Sequence, residues 1–286
     1  MGITKSIIKL TAYLMKDKNL SGDCITFGVH GIEGLYNDVK TIFKKAGYKY
    51  TKLNKDEIIM DELTQFGKTI HQSVFFKMLG FSKTDSIDCF PDENPSFTLN
   101  INYPIPKDFV NKYDCLWDGG TTEHVFNVFE CLSNIVRLLK VGGRIIHSVP
   151  VSGYINHGYY QFSPILFFDF YNANGFTDIE AVIIELNSKQ GANYYHYNPF
   201  LLFHMNFNKK KVCLYFTAIK NKVFKKINIP VQGKINYKLP AEKSKNPVKD
   251  KLKEIIQFIP FIYKVLSIIN LKITIFKLKR KNKLIL

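Results

Sequence analysis

Short apolar runs that end in Gly, Asp or Asn alternate along this chain with segments of helical periodicity. The apolar runs predict strands at residues 24–29, 86–89, 97–101, 113–117, 144–149, 179–186 and 211–219. The helical segments lie at residues 36–46, 70–79, 126–139 and 164–174, and a glycine closes most of them. Strands that alternate with helices of about 10 to 15 residues indicate βαβ units. We therefore expect an α/β fold with a mostly parallel sheet, helices on both faces and a ligand site at the carboxyl ends of the strands.

The positive charge of the chain is concentrated near one end. The chain has 40 Lys and Arg against 24 Asp and Glu, a formal net charge of +16. Residues 207–286 hold 21 of those bases and three of those acids, whereas residues 1–206 hold 19 bases and 21 acids. Because the larger part of the chain is nearly neutral, the charge argues against nucleic acid as its partner.

The C-terminal segment is predicted to be a separate part of the chain. We predict an N-terminal helical lead (1–21), a Rossmann-like domain (22–220) and a basic, apolar tail (221–286). Residues 254–276 are mostly Ile, Leu, Phe and Tyr, but Lys264 and Lys272 interrupt them, which argues against a transmembrane helix. We expect a helical extension in which residues 250–286 contact an anionic membrane surface. The alternative is that this helix packs on the domain or on a second copy.

The cysteines and the first residues bear on metal binding and location. The five cysteines are scattered, without a C-x-x-C pair or a regular spacing, which is typical of reduced, buried thiols in a cytoplasmic protein. No group of Cys, His and acidic residues has the spacing of a metal site, so we expect a metal-independent protein. The N-terminus shows no signal-peptide pattern. We expect a cytoplasmic protein that is peripheral on the inner face of the membrane.

Two segments resemble a known family. Residues 114–143 read DCLWDGGTTEHVFNVFECLSNIVRLLKVGG, in which a strand ends at an acid, a Glu-His turn opens a helix, and Gly-Gly precedes the next strand. Residues 157–164 read HGYYQFSP. The first segment resembles class I S-adenosylmethionine-dependent methyltransferases, and the second resembles a subgroup associated with bacterial surface-polysaccharide gene clusters. The resemblance extends over residues 24–186 and implies a Rossmann-like sheet with S-adenosylmethionine as the cofactor.

A glycine-rich turn follows the first predicted strand. Residues 27–34 read FGVHGIEG, and the resemblance implies that Gly28 and Gly31 bring the backbone close to the methionine part of the cofactor. The N-terminus of the following helix would receive the cofactor's carboxylate. The acid that leads this turn in the wider family is absent here. That departure favours one alternative function, a non-catalytic methyltransferase-like binding module recruited to the membrane surface.

The resemblance implies further cofactor contacts at the ends of three other strands. Asp88 would accept both ribose hydroxyls, since two carboxylate oxygens suit a vicinal diol, or it would cap the following loop. The side-chain oxygen of Asn100 would accept a hydrogen bond from the adenine amino group. Alternatively, Asn100 would form a turn. Asp118, Gly119 and Gly120 would lie under the methyl-transfer site, and the same residues also suit a tight turn.

Three side chains are candidate catalytic residues. His157 is the predicted general base, because an imidazole with a pKa near ~6.5 can take a proton from the acceptor at neutral pH. His124 and Tyr160 are the secondary candidates, and each of these side chains could instead order its loop. His147 lies in an apolar run and is interpreted as a core histidine. Residues 194–197 read YYHY and suit either a carbohydrate-stacking surface or ordinary packing.

These features favour an enzyme that O-methylates a sugar or another small polar acceptor. From the resemblance, the expected setting is surface-polysaccharide biosynthesis. A nucleic-acid methyltransferase attracted by the basic tail is a second alternative. The charge outside the domain and the lack of an N-P-P-Y-type base-modification motif argue against that alternative.

Overall fold

The architecture of the chain is given by a computed structural model, which describes residues 2–187, 191–197, 210–222, 226–232 and parts of 272–284. The strands are β1 (Gly2–Ile3), β2 (Asp23–Phe27), β3 (Gly31–Ile32), β4 (Met60–Thr64), β5 (Gly67–Ile70), β6 (Lys83–Asp88), β7 (Phe97–Thr98), β8 (Tyr113–Asp118), β9 (Leu139–Ser152), β10 (Phe176–Asn187), β11 (Gly191–His196), β12 (Val212–Lys220) and β13 (Lys283–Leu284). The helices are α1 (Lys5–Met15), α2 (Tyr36–Ala46), α3 (Gln72–Leu79), α4 (Val128–Leu138) and α5 (Pro164–Ala173). Residues 250–271 of the predicted membrane-binding tail lie outside the described residues. Within the described ranges, no helix has both the length and the apolar character needed to cross a membrane.

Nine strands form one sheet in the order β13-β11-β10-β12-β9-β8-β2-β6-β7. The five strands from β9 to β7 are parallel and follow the 3-2-1-4-5 order of doubly wound α/β folds. β12 is inserted between β9 and β10 and runs antiparallel to both. The predicted Rossmann-like sheet is therefore confirmed, with parallel strands at its centre and antiparallel strands along one side.

Helices cover both faces of this sheet, as predicted. α1, α2 and α3 pack on one face, and α4 and α5 pack on the other. α4 buries one apolar face, and Asn127 caps it by accepting a hydrogen bond from the backbone N–H of Glu130. α1, from the predicted N-terminal lead, belongs to the first core, where the hydroxyl of Thr11 lies 3.2 Å from that of Tyr215.

Three segments differ from the sequence-based predictions. The third parallel strand, predicted at 97–101, ends at Thr98 because Asn100 forms a turn. β9 is longer than the predicted 144–149 because residues 139–143 continue it, with a shift in its register against β8. Residues 60–69, for which no element was predicted, form the antiparallel pair β4–β5 together with Ile70, which was predicted to begin a helix.

Lys220, at the end of β12, holds together three segments at the amino ends of the central strands. Its ammonium group donates to the side-chain oxygen of Asn111 and to the carbonyls of Val136 and Leu139, at 2.6 to 2.9 Å. Lys220→Met is expected to lower the free energy of unfolding by about 1–3 kcal/mol, because these buried acceptors lose their donor. Urea denaturation measures the effect, and the exposed Lys222→Met is the matched control. Equal stabilities for the two variants would contradict this role of Lys220.

Candidate active site

The carboxyl ends of β2 and β8 meet where the strand order reverses, which is where doubly wound sheets bind ligands. Phe27 of β2 pairs with Asp118 of β8. Gly28 follows with φ of 81° and donates its N–H to the carbonyl of Ile87 at 2.8 Å. The hydroxyl of Thr121 donates to the carbonyl of Phe27 at 2.6 Å. These hydrogen bonds join the two strand ends. The backbone of Gly28, Gly119 and Gly120 at this point is called the glycine floor below.

Two glycines pack closely against their neighbours at these strand ends. A Cβ atom on Gly28 would lie 2.7 Å from Oγ1 of Thr121 and 3.7 Å from Oδ2 of Asp88. A Cβ atom on Gly119 would lie 2.9 Å from both Cε1 of His30 and Nε1 of Trp117. Nε1 of Trp117 is buried and has no hydrogen-bond partner among the described residues. Glycine is therefore required at both positions, and a buried donor lies beside Gly119.

Asp88 and Asn100, the two predicted contacts to the nucleoside part of the cofactor, have different surroundings in the structure. Asp88 ends β6 and is half-buried, and its Oδ1 accepts the backbone N–H of Phe90 at 3.0 Å. Asp88 therefore caps its loop while facing the glycine floor. Asn100 is exposed, and its Oδ1 accepts both the backbone N–H and the side-chain amide of Asn102, at 3.0 and 2.9 Å. Asn100 forms the alternative turn, and its acceptor oxygen is already engaged.

Gly31, a predicted cofactor contact, lies in a short strand. It belongs to β3, where it pairs with Gly2, and a Cβ atom on it would lie 3.1 Å from Cβ of Thr64. At the N-terminus of α2, where the cofactor's carboxylate was expected, the carboxylate of Asp38 accepts the N–H of Leu35 at 3.0 Å. A ligand carboxylate there would meet an acid of the same charge.

Asp118 is fully buried, and its carboxylate faces the protein rather than the floor. Its oxygens accept the backbone N–H groups of Thr121 and Thr122, the hydroxyl of Thr122, and a hydrogen bond from Nδ1 of His147 at 2.6 Å. Burial raises the pKa of Asp118, but these hydrogen bonds outweigh burial and lower it overall. The side chain of Asp118 therefore has a structural role, and the placement of residues 118–120 under the methyl-transfer site stays a prediction.

His147 confirms the interpretation of a satisfied core histidine. It is fully buried, and its Nε2 lies 2.6 Å from the hydroxyl of Tyr171 on α5. The chain Asp118–His147–Tyr171 links β8, β9 and α5 beneath the site. We therefore expect the turn after β8 to keep its shape when a ligand binds.

Glu123, His124 and His157 come together beside the glycine floor. Glu123 and His124 belong to the 3₁₀ turn Thr122–His124, and His157 lies in the loop after β9. Nε2 of His157 is 3.8 Å from Oε1 of Glu123, and the two imidazole rings are 5.0 Å apart. The structure thus places the two predicted catalytic histidines together and adds Glu123, which was not among the predicted site residues.

The charges of this cluster are set mainly by burial. Burial, with a smaller contribution from the charge of Asp118, raises the pKa of Glu123 to about 8. Burial lowers the pKa of His124, and the nearby His157 lowers it further. Burial and then the charge of Lys211 lower the pKa of His157. The histidines are therefore favoured in their neutral forms at neutral pH, able to accept a proton or bind a cation.

Tyr160 holds the loop that carries His157. Its backbone N–H and that of Tyr159 donate to the carbonyl of Glu123 at 3.2 and 2.9 Å, and its hydroxyl donates to the carbonyl of Phe126 at 2.8 Å. These contacts favour the alternative interpretation in which Tyr160 orders its loop, and its catalytic role stays a prediction. Phe126 and Tyr159 themselves are 72% and 67% exposed and form an aromatic rim beside the cluster.

Two other places are less suited to a site. Tyr194 and Tyr195, from the predicted carbohydrate-stacking segment, are buried in β11, and the hydroxyl of Tyr194 donates to the carbonyl of Ser6. A cavity of about 390 Å³ lies at the amino ends of the strands, lined by residues that include Gly22 and Arg144. It contains none of the predicted site residues and lies at the opposite edge of the sheet from the glycine floor.

Comparison with known proteins gives similarity at the level of the fold. No profile of a known protein family matches the chain. A segment is 30% identical over 124 residues to the RNA-silencing factor ers1 of Schizosaccharomyces pombe, covering 37% of this chain and only 12% of that protein.

Solved structures with a similar arrangement include methyltransferases. Phosphoethanolamine N-methyltransferase 2 of Haemonchus contortus, in complex with S-adenosyl-L-methionine, is 12% identical with a TM-score of 0.39, over 75% of this chain and 52% of that one. The 1,6-didemethyltoxoflavin-N1-methyltransferase of Burkholderia thailandensis is 13% identical with a TM-score of 0.36, over 76% and 80% of the two chains. These similarities are too low to assign an activity, and the fold assignment depends on the strand order itself.

Proposed function

We propose that this protein is an S-adenosylmethionine-dependent methyltransferase that acts on a hydroxyl group of a sugar or another small polar acceptor. The observation that carries the proposal is the arrangement at the switch point, where the carboxylate of Asp88 lies beside Gly28, 3.7 Å from the position of a Cβ atom on that glycine. Such an arrangement suits a nucleoside-containing ligand. The methyltransferase-like segments 114–143 and 157–164 lie on β8, β9 and the loops next to it.

The residues at the floor fit the cofactor. Gly28, Gly119 and Gly120 would let its methionine part lie against the backbone, and the carboxylate of Asp88 suits the vicinal hydroxyls of its ribose. Gly120 has φ of 100°, a conformation that glycine adopts without strain. When bound, the cofactor supplies an electrophilic methyl group.

The acceptor is proposed to lie between the floor and the aromatic rim. His124 and His157 would hold its hydroxyl group and promote the loss of its proton, which methyl transfer to oxygen requires. Phe126 and Tyr159 offer exposed ring faces on which the apolar face of a sugar can pack. Surface-polysaccharide biosynthesis and a membrane contact through residues 250–286 stay predictions from the sequence.

The role of Asp88 is tested by calorimetry with S-adenosylmethionine and S-adenosylhomocysteine. Asp88→Ala is expected to weaken both affinities by about 10- to 150-fold, equivalent to roughly 1.5–3 kcal/mol for hydrogen bonds to a charged group. The matched control is Asp92→Ala, which removes an exposed acid four residues away.

The outcomes separate the proposed function from its alternatives. Equal affinities for the Asp88 and Asp92 variants would show that Asp88 does not hold the ribose. No binding of either compound by the unmodified protein would overturn the proposal. Cofactor binding without turnover over a panel of free and nucleotide-linked sugars would instead favour the non-catalytic binding module.

A further inference from the structure

Glu123 presents an unusual arrangement for a buried acid. Its side chain is fully buried, and neither carboxylate oxygen has a hydrogen-bond partner among the described residues. A buried carboxylate without partners is costly, so a partner is expected where one persists in a well-packed site. One ligand atom each from Glu123, His124 and His157 lies within 4.8 Å of the others. Two imidazoles therefore lie close to the carboxylate of Glu123.

The surrounding backbone is built to bring these three side chains together. The carbonyl of Glu123 accepts the N–H groups of Tyr159 and Tyr160, which fixes the loop after β9 against the turn after β8. A Cβ atom on Gly158 would lie 2.9 Å from the carbonyl oxygen of Glu123 and 3.2 Å from Nδ1 of His124. A larger residue at 158 would push the loop away, so the close approach of the two segments depends on this glycine.

We propose that Glu123, His124 and His157 bind a divalent first-row transition-metal ion. Two imidazoles and one carboxylate are the ligand set of open zinc sites and of facial iron(II) sites, which keep coordination positions for a further ligand. Metal–ligand distances of about 2.0–2.2 Å place ligand atoms roughly 3.3 Å apart. His124 and His157 are exposed and can rotate to close the remaining distance, whereas buried Glu123 is fixed in place.

The sequence-based expectation of a metal-independent protein loses its premise here. That expectation depended on the lack of histidines and acids at metal-site spacing in the sequence. The structure forms such a cluster because the fold brings His157 next to Glu123 and His124, which precede it by 34 and 33 positions. Metal binding itself does not depend on the proposed function. If that function holds, His124 and His157 would promote loss of the acceptor's proton through the ion they hold rather than as free bases. The open positions of the ion would receive an oxygen of the acceptor, which makes a hydroxyl-bearing acceptor the preferred class.

Cobalt(II) alone is the probe for this site. The full chain, first stripped with a chelator, is titrated with Co²⁺ while visible absorption and calorimetric heat are recorded. We expect one ion per chain and an absorption band that reports imidazole and carboxylate ligands. His157→Ala is expected to weaken binding at least about 100-fold, since loss of even an outer-shell partner costs about 10- to 100-fold. His196→Ala, which removes an exposed histidine of β11, is the matched control.

Glu123→Gln provides a second variant that keeps the shape of the buried side chain. It is expected to weaken Co²⁺ binding to a similar extent, with a thermal unfolding curve that shows an intact fold. Unchanged Co²⁺ affinity in His157→Ala, or no saturable binding by the unmodified chain, would overturn the site. Asp88→Ala is expected to bind Co²⁺ normally, so a failed metal site and a failed cofactor site are distinguished.

Discussion

Replacement of His147 by leucine is expected to lower the free energy of unfolding by about 3 kcal/mol, because a buried carboxylate loses a hydrogen-bond donor. His147 and Asp118 are both fully buried, and their side chains are 2.6 Å apart. Leucine would leave the Asp118 carboxylate without its strongest side-chain donor and the hydroxyl of Tyr171 without a partner. Urea denaturation followed by circular dichroism measures the change.

A double-mutant cycle makes this prediction specific. Asp118→Asn alone and His147→Leu alone should each destabilise, but the double variant should cost less than their sum, because neither partner is then left alone. Additive costs would show that the two side chains contribute independently. Acid unfolding gives a second measurement. A lowered pKa of Asp118 in the folded state adds stability above its unfolded value of about 3.9, and this stability is lost as pH falls through the folded value. His147→Leu should therefore begin to unfold at a higher pH than the parent.

His157→Ala is expected to lower the rate of methyl transfer by at least about 100-fold, measured with an acceptor that the parent protein methylates. The affinity for S-adenosylmethionine should stay unchanged, because His157 lies on the acceptor side of the glycine floor. His157 is 35% exposed, so the variant should fold normally. Release of S-adenosylhomocysteine measures turnover, and His196→Ala is the control. A variant with parental turnover would reduce His157 to a loop residue.

The central sheet could be predicted because the residues that indicate each strand and each helix end are neighbours in the sequence. The central residues of β2 (24–27) and β8 (115–117) and residues 145–146 of β9 are mostly apolar, as expected for strands buried on both faces. Gly47 and Gly80 end α2 and α3 with left-handed backbone conformations, which the sequence already indicates. Asp88, Gly28 and Gly119 lie at the carboxyl ends of strands, as expected, because each directly follows or ends one of the runs that form β2, β6 and β8.

The cluster of Glu123, His124 and His157 could not be predicted in the same way. Its formation depends on the length of β9 and on the backbone bonds that join residues 159 and 160 to the turn after β8. The pairing of Asp118 with His147 likewise depends on the register between β8 and β9, in which the two residues lie opposite each other. The spacing of residues in the sequence determines neither the contact between these two loops nor the register of these two strands. Glu123 was overlooked because an acid at the start of a helix has an ordinary electrostatic explanation.

The insertion of β12 between β9 and β10 has a consequence for synthesis on the ribosome. β9 and β10 are both made before β12, yet in the folded sheet they are joined only through it. Until Lys220 has emerged, the nascent chain presents two open, apolar sheet edges that can pair with other chains. We expect fragments that stop before Val212 to aggregate or to be retained by chaperones, whereas fragments that include β12 should be released as soluble protein. Folding of this chain is therefore completed late and from the middle of its sheet.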